Sequence, residues 1–403
     1  MKNGLFNGSR VIPVEQTWSN ISPILKDFGI TRVGEITGLD RIGLPVWIAV
    51  RPNARSLSVS QGKGLTDSAA KVSAAMEALE LAHAEQPTLK IKYGTEREIA
   101  ASGDLVDLST LPRMRASLFG TNTQLSWVRA GCWKTGGAVW VPYEIVNVDA
   151  TIPRANGAGC FLHTTNGLAS GNSEEEAVLH GLCEVIERDA MAIWQYSSDV
   201  LQRARRIDLN TINTSPASDV VQQLLTADNL PIIWDTTSDI GIATFRVALY
   251  DNLSDPVARP LPTSSGAGCH PDRMVALCRA LTEAAQSRLT AIAGSRDDLG
   301  RTRYRITQSA EALDSFGALA GAVGQHAFSS VPTVAFESVT QTVEFVATKL
   351  EQAGFRQILT VDLSRPETPI SVTRVIVPGL EGPTDSPSYL PGSRVLARAQ
   401  TEL

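Results

Sequence analysis

The chain has 403 residues, 43% of them hydrophobic, and a formal net charge of −6. That length supports two or three domain-sized units or one large α/β body. The acidic balance without a long basic run gives nucleic acid no electrostatic foothold. No apolar run is long enough to span a bilayer, and Met1 to Trp18 lacks the basic-then-apolar pattern of an export signal.

The five cysteines (Cys132, Cys160, Cys183, Cys269 and Cys278) contain no C-x-x-C pair. The expected setting is a reducing cytoplasm without disulfides.

Along the chain, residues 29–60 read as strands, with Val46 to Val50 a compact apolar run. A first helix begins near Thr66 or Asp67, both N-cap types, and runs to about Glu85, before Pro87. Residues 102–150 read as short strands and turns, with Trp140-Val141-Pro142 as one strand end. A second helix opens at Ser173, which forms a capping-box pattern with Glu176, and continues to about Trp194. Residues 231–250 read as two strands, Ile232 to Trp234 and Thr244 to Tyr250. A third helix starts at Pro271 and ends near Gly294. A polar stretch (295–332), a helix at 340–354, strands at 357–363 and 371–377, and a Pro/Gly-rich tail from 378 follow.

The three long helices share one arrangement. Each follows a glycine-rich segment, read as a loop: Gln61-Gly62-Lys63-Gly64, Asn166-Gly167 through Gly171-Asn172, and Gly266-Ala267-Gly268. Each is apolar nearly all round except for one polar stripe at i, i+4, i+7, which shares a single helix face. The stripes are Ser73/Glu77/Glu80, His180/Glu184/Glu187 and Arg279/Glu283/Gln286. Gly64 to Ser73 and Gly171 to His180 are the same offset. The repetition predicts one body with internal pseudo-symmetry and no cutting linker.

Interior carboxylates cost several kcal/mol or so each unless paired or bound to a cation. Arg188, Arg279 and Arg288 supply part of the counter-charge for Glu77, Glu80, Glu184, Glu187 and Glu283. Oxygen ligands without histidine or cysteine partners suit Mg²⁺ as the remainder. Glycine-rich loops at helix N-termini suit phosphate. The other reading of each stripe is a thin solvated edge or a salt-bridge seam. Glu176 is explained equally by its capping box, His180 by a satisfied core histidine, Lys63 by a solvated loop tip, and Arg188 by charge balance. No P-loop, H-E-x-x-H, nucleophile elbow or dinucleotide fingerprint occurs.

Gly29-Ile30-Thr31-Arg32-Val33 with Thr37 to Val46, then Ser60 to Gly64, resembles the opening of YcaO-domain proteins. Ser73 to Glu80 resembles that family's S-x-x-x-E-x-x-E motif. Asn166 to Asn172, with Glu176-Ala177 and Glu184 to Arg188, is similar to its second motif. Arg279 to Arg288 is similar to its third, and Val375 to Gly382 resembles its late strand and turn. The resemblance implies a YcaO-type α/β (α+β) fold, with mixed sheets and buried helices around an ATP/Mg²⁺ site. It implies Mg²⁺ ligation by Glu77, Glu80, Glu184, Glu187 and Glu283. Ser73, Asn172, Glu176 and Arg188 would line the nucleotide. Lys63, Arg279 and Gln286, from the glycine-rich segments and stripes, complete the expected nucleotide-binding set, and His180 on the second stripe is the candidate catalytic base, which the resemblance itself does not assign.

The implied chemistry is phosphorylation of a backbone amide oxygen in a ribosomally made precursor peptide. It yields a thioamide with external sulfide, or an azoline with a neighbouring Cys, Ser or Thr. The early block is most similar to members that work with a TfuA-type partner, which are associated with thioamides. The chain lacks the proline-rich tail of many azoline-forming cyclodehydratases, and Arg279 stands where some members carry glutamine. No sulfur-donor or peptide-capture domain is fused, so both would come from partners. The resemblance also favours a homodimer. The remaining alternative is a non-catalytic nucleotide- and peptide-binding scaffold.

Overall fold

The protein is described here by a computed structural model, which defines residues 10–401 apart from 118, 155–156, 253–260, 297, 299–316 and 385. The polar stretch at 295–332 lies partly outside these residues.

Helix α1 (Val14–Ile21) precedes an antiparallel sheet of β1 (Arg32–Glu35), β2 (Val46–Val50) and β3 (Val59–Lys63), and α2 (Asp67–Glu85) follows it. Then come β4 (Lys92–Thr95), α3 (Glu96–Ala100), β5 (Gln124–Cys132), β6 (Ala138–Pro142) and β7 (Leu168–Gly171), before α4 (Glu174–Gln195). Helices α5 (Asp199–Ala204) and α6 (Ala217–Thr226) lead to a second three-stranded sheet. Its strands are β8 (Asn229–Asp235), β9 (Thr244–Asp251) and β10 (Thr263–Cys269), followed by α7 (Arg273–Ala293). Helix α8 (Val339–Gln352), β11 (Leu359–Asp362), β12 (Ser371–Ile376) and α9 (Ser393–Thr401) complete the order. The largest sheet runs β4-β5-β11-β12-β7, with β6 also on β5. The strands named here pair antiparallel throughout.

The glycine-rich segments are strands over most of their length rather than loops. Gln61 to Lys63 belong to β3, Leu168 to Gly171 form β7, and Gly266 to Gly268 lie in β10. Their glycines let strand backbone lie directly on helix backbone. A Cβ at Gly62 would penetrate Ala70 O and Ala74 N, one at Gly171 would lie 2.6 Å from Ala177 N, and one at Gly268 would lie 2.6 Å from Ala280 N. The alanines that make these helices apolar nearly all round are the other half of the same contact. The helix N-termini are closed by side chains instead. Thr66 accepts from Ala69 N, Ser173 from Glu176 N and Asp272 from Met274 N. The third helix accordingly begins at Arg273, after an Asp272 cap, rather than at Pro271.

The three strand–helix units close on each other. Helix α2 packs on its own β3 and on β7; α4 packs on β7 and on β10; α7 packs on β10 and on β3. Each helix thus spans from its own strand to that of the next unit. This ring turns the three polar stripes toward a shared centre, while aliphatic clusters fill the spaces outside it.

Candidate active site

Glu77 and Glu80 lie on α2, Glu184 and Glu187 on α4, and Glu283 on α7. Glu187 is 6% exposed; the other four are half-buried. Strand atoms aim three of them. Gln61 N donates to Glu77 Oε2 at 3.2 Å, Ser170 Oγ to Glu80 Oε2 at 2.8 Å, and Ala267 N to Glu283 Oε1 at 3.3 Å. The Gln61–Glu77 and Ala267–Glu283 bonds both span 16 residues, so the first and third units repeat at the level of single hydrogen bonds.

The carboxylates act on one another. Burial pushes Glu77 up to about 7, against the opposing pull of Arg296, the Gln61 N–H and Lys63 and with a small further push from Glu184. Burial and the neighbouring Glu184 raise Glu80 well above the carboxylate range. Burial also raises Glu184, which Arg188, Arg374 and Arg279 partly offset. Burial and Glu283 push Glu187 up to about 7. Glu283 is the exception. Burial works against its charge, yet Lys63 and Arg188 outweigh burial and hold it below the usual range. The Lys63 ammonium donates directly to Glu283 Oε2.

Other residues named from the sequence sit on or beside the same three helices. Ser73, Asn172, Glu176, Arg188, Arg279 and Gln286 are all half-buried. Glu176 does not complete a capping box. Its backbone N–H meets Ser173 Oγ, but its carboxylate accepts from Asn172 Nδ2 at 3.0 Å and from Val11 N at 3.2 Å. His180 sits among cations: burial, then Arg279, Lys63 and Arg10, hold it at about 3. It is therefore neutral at pH 7 and a weak proton acceptor until anionic charge joins it.

Arg288 is not a counter-charge for the stripes. Its guanidinium is buried and pairs with Asp251 at 2.9 Å and Asp40 at 3.3 Å, while Arg41 also binds Asp251 at 2.7 Å. Asp40 and Arg41 of the early sequence block thus anchor that block to α7 and β9.

The cation that replaces Arg288 is Arg374 on β12. It is 1% exposed and donates to Val146 O at 3.0 Å and Asn166 O at 2.7 Å. Burial lowers it to about 10 while the adjacent Glu184 and Glu80 support its charge. Its sequence signal was a lone arginine inside Ser371–Ile376, a strand otherwise suited to the core. Arg10, which faces Glu176, Arg279 and His180, carried no sequence signal.

Mg²⁺ and a nucleoside triphosphate fit these residues. The donors are oxygens, and the carboxylates repel one another where a cation would relieve them. Among the described residues, Asn172 Oδ1 and Arg279 Nε are buried without a hydrogen-bond partner, as polar atoms awaiting a ligand would be. Among the described residues no three His, Cys, Asp or Glu side chains close into a self-sufficient metal cage. Mg²⁺ does not need one, because it binds one or two carboxylates and completes its shell with water and phosphate.

A family model described as YcaO cyclodehydratase, ATP- and Mg²⁺-binding, matches residues 61–381. The chain belongs to the YcaO family. A protein encoded in the tfuA 3′ region of Rhizobium leguminosarum bv. trifolii is 39% identical over 375 residues, covering 92% of this chain and 88% of the relative. The YcaO of Methanopyrus kandleri bound with AMPPCP and Mg²⁺ superposes with a TM-score of 0.72 at 25% identity, covering 93% of each chain. A heterocyclase in complex with substrate and cofactor superposes with a TM-score of 0.75 at 21% identity, a likeness of fold. It covers 93% of this chain and 53% of that one, so the YcaO body here spans about half of the heterocyclase. ATP and Mg²⁺ are thus the cofactors of the YcaO family, whose members act on peptides. No helix among the described residues is long and apolar enough to cross a membrane.

Proposed function

We propose that this YcaO protein activates a backbone amide of a ribosomally made peptide at the expense of ATP and converts it to a thioamide. One observation carries the reading: carboxylates from three helices converge with Lys63, Arg188, Arg279 and Arg374 between them. Bound Mg·ATP supplies a γ-phosphoryl group for the amide oxygen and divalent charge to stabilise its transfer.

The protein's own residues position and neutralise. Glu77, Glu80, Glu184, Glu187 and Glu283 hold the cations. Lys63, Ser73, Asn172, Glu176, Arg188, Arg279 and Gln286 orient the nucleotide, so that the chemistry rests on placement and fixed charge. His180 accepts the proton of the incoming nucleophile. Burial is the main cause of its lowered pKa, and anionic charge placed among Arg279, Lys63 and Arg10 offsets the part that these cations add.

The thioamide product is favoured by the relative encoded beside tfuA. A TfuA-type partner would deliver sulfide, and the enzyme would work as a cytoplasmic homodimer. The azoline product is the second reading, favoured by the fold shared with the heterocyclase.

The test incubates the protein with Mg·ATP, sulfide and candidate precursor peptides, reading peptide mass and phosphate release. A gain equal to sulfur minus oxygen, dependent on sulfide, supports the thioamide. Loss of one water identifies the azoline. Nucleotide binding without any peptide-stimulated hydrolysis leaves the scaffold and overturns both enzymatic readings.

A further inference from the structure

The buried face of α4 opposite the glutamates holds a second polar construction. Asp189 follows Glu187 by two residues, points to the other side of the helix and is 0% exposed. Arg394 of α9 grips it with a fork: Nε to Oδ1 at 2.8 Å and Nη2 to Oδ2 at 2.9 Å. The same guanidinium binds Asp239 at 2.5 Å and lies over the Phe355 ring at 5.0 Å.

The rest of the C-terminal segment closes the construction. Glu381 N donates to Asp189 Oδ1 at 2.9 Å. The Glu381 carboxylate accepts from Tyr389 Oη at 2.9 Å, Gly392 N at 2.8 Å and Val395 N at 3.0 Å. One acid therefore seals the start of α9, and its own backbone N–H rests on α4. Val395 packs in one apolar cluster with Ala192 of α4.

We infer that the C-terminal helix is a positioning element: through Asp189, Arg394 fixes the turn of α4 that carries Glu184, Glu187 and Arg188. A planar, bidentate pair restricts rotation as well as separation, which a hydrophobic contact does not. Rotation is what matters here. Glu187 and Asp189 lie on opposite sides of one rigid helix, so a twist at one is a twist at the other. Arg394 contacts Asp189, Asp239 and Phe355, and its route to the glutamates runs through α4. The kinetic part of this inference rests on the nucleotide reading above; the structural part does not.

The experiment compares full-length wild type with Arg394→Met and Arg394→Lys. Amide hydrogen exchange is measured on the free proteins, and KM and kcat are measured with Mg·ATP. Arg394→Met is expected to speed exchange in residues 183–190 by roughly tenfold while α2 and α7 keep their protection. It is also expected to raise KM for Mg·ATP roughly tenfold with a smaller change in kcat. Arg394→Lys, which keeps the charge but loses the fork, should fall between. Unchanged exchange in α4, or equal loss of protection in all three helices, overturns the inference. Should Arg394→Met fail to fold, the lysine variant decides by the same two readouts. Failure of wild type to bind Mg·ATP would sink the nucleotide reading, while the exchange pattern would still decide this one.

Discussion

Lys63, at the end of β3 in the first unit, donates to Glu283, on the helix of the third, across 220 residues of chain. This pair closes the ring of units at the site itself. It also sets Glu283 apart from its neighbours, since the other four carboxylates are all held above their usual range. The Lys63→Met variant should release Glu283 into their company, because burial would then act without its main opponent. The pH midpoint for binding a non-hydrolysable ATP analogue with Mg²⁺ should move upward. Calorimetric titrations between pH 6 and 9, on the order of half a unit apart, would show it; an unmoved midpoint would dismiss the pair's importance.

Glu187→Gln should abolish turnover with the fold retained. Glutamine keeps the volume but gives up the negative charge a hard cation requires. The loss should exceed about a hundredfold, the upper range for disturbing even a ligand's outer partners. Full activity in this variant would refute the metal assignment.

The raised carboxylates make the free protein sensitive to pH in a defined direction. Glu77 and Glu187 titrate at about 7 in the folded chain, against 4.5 as their reference. The folded state therefore binds more protons than the unfolded one between those values, and these two groups lower stability as pH rises through that window. Without ligand, melting temperature should fall from pH 5 to pH 7.5 by this contribution, on the order of a few degrees. Glu77→Gln should flatten part of the slope. Mg²⁺ with the nucleotide analogue should reverse it, since binding selects the ionised form. A melting curve insensitive to these groups would contradict the clustering.

Gly62→Ala should be among the most damaging single substitutions in the chain. The added methyl has no place to go between β3 and the Ala70–Ala74 backbone of α2. A cost above about 4 kcal/mol, or failure to accumulate folded protein, is expected. Gly38→Ala is the control, since its Cβ would meet nothing within 4 Å. Equal stability of the two variants in chemical denaturation would refute the close strand–helix contact.

Much of the site was legible in the sequence because helical periodicity is a local property. The spacing i, i+4, i+7 places Glu77 with Ser73 and Glu187 with His180 whatever surrounds them. The same sequence reads 61–64 as a loop, because glycines ordinarily mark turns. Here they mark backbone contact between a strand and an alanine-rich helix, a relationship visible only once both are placed. Arg288 and Arg374 show the same divide. Both are charges in apolar surroundings, and sequence alone could not tell which one faces the glutamates.

The sequence by itself determined the three stripes, their phase and the residue chemistry suited to Mg²⁺ and phosphate. The tertiary structure decided their convergence, since α2, α4 and α7 each reach from their own strand to the next unit's. It also decided which cations share the centre and how far each carboxyl departs from its ordinary pKa. Those quantities depend on burial and on distances between residues far apart in the chain, and periodicity carries no information about either.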